Sequence, residues 1–525
     1  MTSVSLVTAN SPLTTVAAAT SVPVTSVKPQ DTLASSPASV VMIGQDARVS
    51  DATTYSNRGT LANTDPVYTF ERDVRDSLSA AMTGNISTSS TAGRFQGLGA
   101  ALLQQLAQNG SDKVSQSLIR SAAGDVQDAS ALKSAQAQLH GKADNTITLT
   151  LKTNSGASIT LSLSSQPDGL AVKAEVTGGK LSDTEREALA SLADSFQGAI
   201  DGLTAKTPRL NLGSLAQLDP NVFSSVEMSA SLKVGQDQYQ TLSFKSDDAT
   251  KSVNMSGPAG NVQLSVKNDS AILGNAQQQA NAVQNYLEQF DAAQSRGDGD
   301  KNLMALFKDA FSALQSTNKS LSNAASASSL NDVDRSMLTG LADFTASLDQ
   351  TTLHPNPMRP TEADKFAYKA SQTTETKGTT NADRSVEQKQ TSSLDAAFHK
   401  SLYPGVALAL DGDASSQNYS YNLIKDEASS TTRFGYDKGA LVEASSTQTA
   451  SQSTSVLKYE LGKLVETVNT PKEVSKSRNL LGMIDDALRD DRSSRLTTGK
   501  STLEESLLPV HAKVLLQSNP SSISG

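Results

Sequence analysis

Apolar and polar residues alternate along the chain from Asn145 to Lys267, and this alternation predicts two groups of strands. A period of two places one apolar face of a strand against a core and leaves the other face in water. Turn-forming residues at 154–156 and 167–169 separate the first three strands, so the pattern predicts an antiparallel meander. The inward residues of these strands are Ile147, Leu149, Leu151, Ile159, Leu161, Leu163, Leu170, Val172, Ala174 and Val176.

A helix interrupts the alternation before it resumes. Ser182 and Glu185 have the spacing of a capping box, in which each side chain binds a backbone N–H of the other residue. Apolar residues then recur at helical spacing from Leu189 to Leu203. Four further strands follow, with inward residues Val226, Met228, Ala230, Leu232, Val234, Leu242, Phe244, Val253, Met255, Val262, Leu264 and Val266. We therefore predict an α+β fold, in which helices cover one face of an antiparallel β-meander sheet.

Helical spacing predicts additional helices on both sides of this region. Upstream, the predicted helices run through Phe70, Val74, Leu78 and Met82, through Phe95 to Leu106, and over residues 112–121 and 128–139. Downstream, Asn275–Ala293 and Asn302–Leu314 predict a helical hairpin. A third helix is expected to begin near Asn331, with Val333, Met337, Leu341, Phe344 and Leu348 on its inner face.

The chain is expected to divide into five segments. Residues 352–393 read as a linker because prolines break any helix and Val386 is the one sizeable apolar residue between Ser371 and Ser393. The segments are a disordered N-terminal leader over 1–65, an α+β domain over 66–268, a helical hairpin plus third helix over 269–351, the disordered linker over 352–393, and a smaller C-terminal α+β region with terminal helices over 394–525.

The last of these segments is predicted as a mixture of short elements. A helix over 394–402 leads to strands over 406–410, 419–424, 431–436 and 440–443, followed by a mobile polar stretch over 444–455. The predicted terminal helices cover 456–467, 474–488 and 503–516.

Composition excludes several classes of chemistry. The 525 residues include no cysteine, which excludes disulfides, thiolate metal sites and a cysteine nucleophile in this chain. A net charge of −9 argues against a broad nucleic-acid footprint. Apolar runs are too short for a membrane span of about 20 residues. The N-terminus lacks the pattern of a cleavable secretory signal, so we expect a cytoplasmic protein or one exported without such a signal.

The leader over residues 1–65 is rich in Ser, Thr, Ala and Val. One interpretation is a disordered terminus without a role of its own. The other is an uncleaved address for a type III-like export apparatus, whose substrates begin with polar segments rich in small residues.

Candidate chemistry in the sequence is sparse. The four histidines, His140, His354, His399 and His511, are far apart and form no ligand-spaced motif, so we expect no catalytic residue and no cofactor. None of the serines lies in a nucleophile elbow.

One connector has acidic residues at metal-ligand spacing. Asp298, Asp300 and Asn302 have the first, third and fifth positions of a calcium loop, and Asp309 has the twelfth. Leu303 stands at the sixth position, where the loop needs glycine. A helix connector with an N-cap is therefore favoured over a metal site. The overlapping tripeptide 296–298, Arg-Gly-Asp, resembles an integrin-attachment motif.

Two glycine patterns resemble nucleotide-binding loops. The pattern that starts at Gly97 and Gly99 lacks its last glycine at Leu102 and follows no predicted strand, which favours close helix packing. Gly499, Lys500 and Ser501 match the end of a P-loop, but Ser494 replaces its first glycine. Ser501 and Glu504 instead predict a capping box for the final helix.

Three runs, Gly93–Leu103, Phe196–Leu203 and Gly257–Leu264, resemble an uncharacterised family of bacterial proteins. The resemblance covers roughly the first 350 residues, consistent with one or two domains and a variable tail. Some members of the family carry the label "lactate dehydrogenase". The resemblance thus implies a bacterial protein and, through the label, hydride transfer, although the residues themselves show no nucleotide fingerprint.

These observations favour a bacterial non-enzymatic interaction or structural protein that binds a protein partner, with no nucleic acid and no membrane span. An enzyme of unrecognised type is one alternative. It predicts a concave pocket with convergent polar side chains whose pKa values are shifted. A type III-like export substrate or effector is the other alternative.

Overall fold

The computed structural model describes residues 66–524, apart from residues 74, 109, 122–127, 218, 269–272, 316–329 and 379. The described residues form one sheet of 15 strands, in the order β1-β2-β5-β4-β3-β6-β7-β8-β9-β10-β11-β12-β13-β14-β15. All neighbouring strands are antiparallel. The predicted leader over residues 1–65 lies outside the described residues, as does Val74.

The strands are β1 Val67–Phe70, β2 Lys113–Ser121, β3 Asn145–Thr153, β4 Ser158–Gln166, β5 Gly169–Thr177, β6 Phe223–Gly235, β7 Gln238–Asp247, β8 Thr250–Gly257, β9 Gly260–Lys267, β10 Phe344–Gln350, β11 Lys365–Lys377, β12 Ser385–Ser401, β13 Tyr419–Asp437, β14 Ala440–Glu460 and β15 Lys463–Asn479. The helices are α1 Ser77–Asn85, α2 Thr91–Phe95, α3 Leu98–Gln108, α4 Ala129–Gly141, α5 Asp183–Ser191, α6 Ala193–Thr204, α7 Ala276–Gly297, α8 Lys301–Gln315, α9 Asp332–Ser336, α10 Leu481–Thr498, α11 Leu503–Ala512 and α12 Pro520–Ser524.

The antiparallel sheet predicted from the alternation between Asn145 and Lys267 is confirmed in β3 to β9. Leu149 on β3 lies opposite Leu161 on β4 and Met228 on β6, so the apolar residues share one face. The capping box is present: Ser182 Oγ accepts the Glu185 N–H at 3.3 Å, and Glu185 Oε2 accepts the Ser182 N–H at 2.8 Å. The apolar stripe that follows divides at Leu192 into α5 and α6.

Helices pack on the apolar face of this sheet and form a continuous core with it. Around α7, α8 and β10 the core is aromatic: the ring centroids of Tyr286 and Phe344 are 5.1 Å apart, and those of Phe290 and Phe307 are 4.9 Å apart. Helix α4 packs on the opposite face, where Leu139 contacts Ile119 and Ala171. The helices therefore lie mainly on one face, with α4 on the other.

Two upstream helix predictions differ from the structure. Leu78 and Met82 lie in α1 as predicted, but Phe70 lies in β1, and the predicted short helix over 112–121 is wrong because Lys113–Ser121 form β2. Val114 and Leu118 are spaced for a helix face, but Val114, Gln116 and Leu118 are equally consistent with period two. The segment forms a strand because it pairs with β5, where Val114 lies opposite Ala174.

The predicted third helix and the predicted linker are also wrong. The helix after Asn331 ends at Ser336, while Phe344 and Leu348 belong to β10. The linker over 352–393 contains β11 and the beginning of β12, which extend the same sheet beyond β10. Its composition was misleading because the apolar alternation of β11 ends after Phe366, Tyr368 and Ala370, and the linker part of β12 is largely polar on both faces.

The C-terminal region differs most from its prediction. Residues 394–402, predicted as a helix, lie largely in β12, and the supposed mobile stretch over 444–455 lies within β14. The hairpin of β14 and β15 replaces the helix over 456–467, and residues 474–479 end β15 before α10 begins. The predicted strands over 419–424 and 431–436 are parts of the single strand β13. Residues 406–410 contain no strand.

Among the described residues, no helix combines the length and the apolar character that crossing a membrane requires.

Candidate binding surface on the open sheet face

The sheet face opposite most of the helices carries a groove of about 880 Å³ that extends over β8 to β15. Side chains reach it from every second position of each strand, because neighbouring residues of a strand point to opposite faces. The alternating residues behind the groove, such as Ala346, Ala370, Ala428 and Ala450, are buried on the helix side. The groove is thus a feature of the polar face of the sheet.

A row of hydroxyl side chains crosses eight neighbouring strands at this groove. On β8 to β11 the row consists of Ser252, Ser265, Thr345 and Ser371, each opposite the next. On β12 to β15 it continues as Thr391, Ser429, Thr449 and Ser475. Strands lie about 4.8 Å apart, so this hydroxyl row spans roughly 33 Å.

The hydroxyls within this row are partly paired with each other. Ser371 Oγ and Thr391 Oγ1 are 2.7 Å apart, and Ser429 Oγ and Thr449 Oγ1 are also 2.7 Å apart. Each hydroxyl has one donor and two acceptor positions. A pair therefore still has hydrogen-bonding capacity for a ligand.

A second row beside the hydroxyl row carries charge. Lys369, Glu427 and Glu473 lie in it on β11, β13 and β15, separated by Ser393 and Ser451. Lys389 lies on the other side of the hydroxyl row, opposite Thr373 and Thr431. The positive side chains of the groove are thus on β11 and β12, and the negative ones are on β13 and β15.

The lining residues restrict what this groove can bind. None of them is aromatic, so the groove offers no stacking platform for nucleobases or sugar rings. Two lysines face two glutamates, which leaves no excess positive charge for a phosphate backbone. The groove offers hydroxyl, amide and charged groups of both signs, which are suited to hydrogen bonding with a polar chain.

Several exposed apolar residues, here called the apolar tip, lie at the far end of the β14–β15 hairpin. Leu461 is 60% exposed, and Leu464 and Val465 are each 51% exposed. Asn418 joins the turn to the loop after β12, since its Oδ1 accepts the Leu461 N–H at 3.0 Å. Tyr403, which is 57% exposed, belongs to that loop. Exposed apolar side chains at one end of a hairpin are candidate contact points for another protein.

Between the groove and the apolar tip, His399 lies in a buried polar cluster. Its Nδ1 is 2.6 Å from Asp364 Oδ1, and its Nε2 is 3.2 Å from Glu362 Oε2. Tyr419 Oη donates to the same Glu362 oxygen at 2.6 Å. Burial and this contact with Glu362 raise the pKa of Tyr419.

The His399 cluster fastens a loop to the sheet. The histidine side chain is 1% exposed, so a substrate cannot reach it. Arg359 of the same loop donates to Gly462 O at 3.0 Å and lies 4.3 Å from the ring centroid of Tyr459.

The other three histidines lie apart from the groove. His140 Nε2 is 3.0 Å from Glu71 Oε2 at the surface, and His354 Nδ1 is 3.0 Å from Pro360 O. His511 Nε2 is 3.3 Å from Thr339 O, and burial lowers its pKa despite that contact.

The acidic residues with calcium-loop spacing have structural roles. Asp298 ends α7 with a left-handed backbone at φ 52°, and Asp300 Oδ1 accepts the Leu303 N–H at 2.7 Å as the expected N-cap. Asp309 binds the Arg209 guanidinium at 2.6 Å, and Asn302 lies exposed in the first turn of α8. No group of three or more histidine, aspartate or glutamate side chains could hold a metal ion within the part of the chain that the structure describes.

The tripeptide at 296–298 does not present its arginine. Arg296 binds the Asp426 carboxylate through Nε and, at 3.0 Å, through Nη2. The same Nη2 also donates to Thr454 Oγ1 at 2.9 Å. These contacts tie the end of α7 to β13 and β14.

The glycine patterns serve packing and helix ends. A Cβ at Gly99 would lie 2.5 Å from Ile200 Cδ1, so this glycine lets α3 approach α6. Gly499 ends α10 with φ 71°. The capping box predicted at Ser501 and Glu504 is wrong, because Ser501 Oγ donates to Asp491 Oδ1 at 2.6 Å and the helix begins after Thr502.

Sequence reasoning missed the groove, because many of its residues lie in the segments predicted as linker or mobile stretch. The available signal was hydroxyl residues at every second position, such as Thr447, Thr449 and Ser451 on β14. Comparison with protein-family models, curated proteins and solved structures finds no match to this chain.

Proposed function

We propose that this protein is a bacterial non-enzymatic interaction protein whose groove binds an extended polypeptide that lies across the strands. The observation that carries the proposal is the hydroxyl row, which places Ser or Thr side chains on eight neighbouring strands. A row of roughly 33 Å corresponds to about ten residues of extended chain.

A polypeptide fits the groove better than other polar polymers do. Peptide groups donate and accept hydrogen bonds at every residue, and hydroxyl side chains can bind both groups because they also donate and accept. The lining offers no aromatic surface for sugars or bases and no net positive charge for a polyanion. The exposed apolar tip, with Leu461 and Leu464, supports a protein partner further.

The charges of the groove determine the orientation in which the partner segment binds. Lys369 and Lys389 favour acidic residues of the partner over β11 and β12, whereas Glu427 and Glu473 favour basic residues over β13 and β15. A segment with an acidic end and a basic end therefore binds in one orientation.

A site-specific photocrosslinking experiment tests the proposal. The full chain would carry a photocrosslinking residue at Thr391 or Ser429 in the groove. As matched controls, it would carry the residue at Thr148 or Ser229 on the same sheet face outside the groove. In the producing cells, we expect a protease-sensitive adduct of defined mass from the groove positions and none from the controls.

The double variant Glu427→Lys with Glu473→Lys then tests whether the charges of the groove contribute to binding. We expect this variant to reduce the adduct roughly tenfold, because two attractive ion pairs become repulsive. Equal adducts at groove and control positions, or an adduct that the charge reversal leaves unchanged, would contradict the proposal.

A further inference from the structure

Residues 513–518, here called the C-terminal strap, cross β12, β13 and β14 on the helix side of the sheet. Side chains of these strands donate to main-chain carbonyls of the strap. Gln390 Nε2 and Ser430 Oγ both donate to Val514 O, at 2.8 and 2.7 Å. Ser446 Oγ donates to Lys513 O at 2.8 Å, and Gln448 Nε2 donates to Leu515 O at 2.7 Å.

Main-chain contacts also fix the other half of the strap. Gln390 Oε1 accepts the Leu516 N–H at 3.0 Å. From α7, Asn285 Nδ2 donates to Leu516 O at 3.0 Å, and Gln289 Oε1 accepts the Ser518 N–H at 2.9 Å. The strap therefore lies in a slot between α7 and the sheet, and this slot recognises the peptide backbone.

The strap also contributes aliphatic side chains to the core. Val514 and Leu516 are fully buried, and Leu515 is 8% exposed. The slot thus binds a backbone that turns at Lys513 and Val514 and carries three successive aliphatic residues. Its recognition resembles that of peptide-binding sites, in which main-chain hydrogen bonds give affinity and pockets give selectivity.

An empty slot would leave buried polar side chains without hydrogen-bond partners. Gln390, Ser430 and Ser446 are fully buried, and Gln448 is 2% exposed, so these polar groups have no access to water. A buried polar group that loses its hydrogen-bond partner destabilises the protein. A slot that loses the strap is therefore expected to bind another peptide segment.

We infer that the slot is a binding site for an aliphatic peptide, and that a separate peptide of residues 513–525 occupies it in trans once the strap of the same chain is detached. The contacts depend on backbone geometry and on the three aliphatic side chains. The Lys513 and Val514 N–H groups also donate to Val510 O and His511 O at the end of α11, at 3.0 and 3.2 Å, so α11 forms one end of the slot. In the intact chain the strap competes at a high effective concentration, which excludes an added peptide.

The test uses the full chain with a protease recognition sequence inserted after Ala512, an exposed residue at the end of α11. The folded protein is cut under native conditions and mixed with a fluorescent peptide of residues 513–525. We expect the cut protein to exchange its own segment for the labelled peptide, measured by fluorescence anisotropy and gel filtration. The uncut protein is expected not to bind it.

Backbone methylation distinguishes this recognition from nonspecific apolar contact. A peptide that is N-methylated at Leu516 loses the N–H that Gln390 accepts, and we expect its affinity to fall at least about tenfold. A peptide that is N-methylated at Gln517, whose N–H makes none of the contacts described above, is the matched control.

Failure of the labelled peptide to bind the cut chain overturns the inference, and so does equal affinity of the two methylated peptides. If the first insertion prevents folding, a second cleavage site at Gly499, between α10 and α11, is used with a peptide of residues 500–525. The same two outcomes would then overturn the inference. This test does not involve the open face, so its result is independent of the proposed function.

Discussion

Strands β3 to β9 and strands β11 to β14 belong to the same sheet, but they bury different chemistry against the helices. The first set, here called the apolar half, buries aliphatic residues such as Ile147, Leu149 and Val262. The second set, the polar half, buries Gln372, Gln388, Gln390, Ser430, Thr432, Ser446 and Gln448. The other side of both halves is largely polar, and α4 covers part of it in the apolar half, where Leu139 contacts Ala171.

The difference follows from what packs on each half. Helices satisfy their own backbone, so the apolar half needs only apolar contact. The polar half is crossed by non-helical segments whose buried main-chain groups need partners. Besides the strap, the Thr339 N–H donates to Gln388 Oε1 at 2.8 Å, and Gln372 Nε2 donates to Leu341 O at 2.9 Å. Buried glutamines thus replace the hydrogen bonds that a helix would supply internally.

The largest expected effect is in the apolar half. Leu149 is fully buried, and Leu149→Ala removes apolar contacts and leaves a cavity, so we expect a loss of about 3–5 kcal/mol in the free energy of unfolding. Thr148→Ala, on the open face of the same strand, is the control and is expected to change it by less than about 0.5 kcal/mol. Denaturant unfolding measures both. Similar costs for the two variants would contradict the assigned faces.

In the polar half, Gln390→Ala should cost about 2–3 kcal/mol. The variant leaves the Val514 carbonyl, the Leu516 N–H and the Tyr286 hydroxyl without a bond that Gln390 now supplies. Thr391→Ala, on the opposite face of β12, should cost about 0.5 kcal/mol or less. If Gln390→Ala is as mild as this control in denaturant unfolding, directional hydrogen bonds do not hold the polar half.

A pH titration tests a polar anchor of the apolar half. Burial raises the pKa of Glu185, but hydrogen bonds from Ser155 and Ser182 outweigh burial and lower it from its ordinary 4.5 to about 2. The group is charged in the folded protein at pH values where it is protonated in the unfolded chain. Its stabilisation is therefore complete above pH 4.5 and is lost as the pH falls towards 2.

Glu185→Gln should therefore be less stable than the unmodified chain at neutral pH, and the difference should shrink as the pH falls from 4.5 to 2. Unfolding midpoints across this window measure it. A difference that stays constant with pH would show that the carboxylate charge does not contribute.

The smallest effect on stability is expected at the outer edge of the polar half. Pro471 lies on β15, the last strand of the sheet, opposite Ser453. Proline lacks an N–H and therefore hinders pairing with a further strand. Pro471→Thr restores that donor, and we expect self-association in sedimentation velocity with a stability change within about 0.5 kcal/mol. Thr470→Ser should remain as monodisperse as the unmodified chain, and a monodisperse Pro471→Thr would show that other features protect this edge.

Local pattern was sufficient for some elements. The alternation of β3 to β9 and the capping box at Ser182 concern residues within a few positions of each other, so they could be read directly. The same reasoning failed for β2, where apolar spacing fits both periods, for β11, where the apolar alternation ends at Ala370, and for β12 and β14, where both faces are largely polar. The groove was hidden with them, because a hydroxyl row exists only once the register of eight strands is known.

The sequence by itself determined the antiparallel strands and amphipathic helices of the apolar half, because the hydrophobic effect acts on a periodicity that is written locally in the chain. Only the tertiary structure decided the polar half, the groove and the strap slot. Gln390 donates a hydrogen bond to the carbonyl of Val514, which is 124 residues away in the sequence. Gln448 donates to the carbonyl of Leu515, which is 67 residues away. A hydrogen bond is directional, so a glutamine becomes a core residue only where the fold brings it a buried partner.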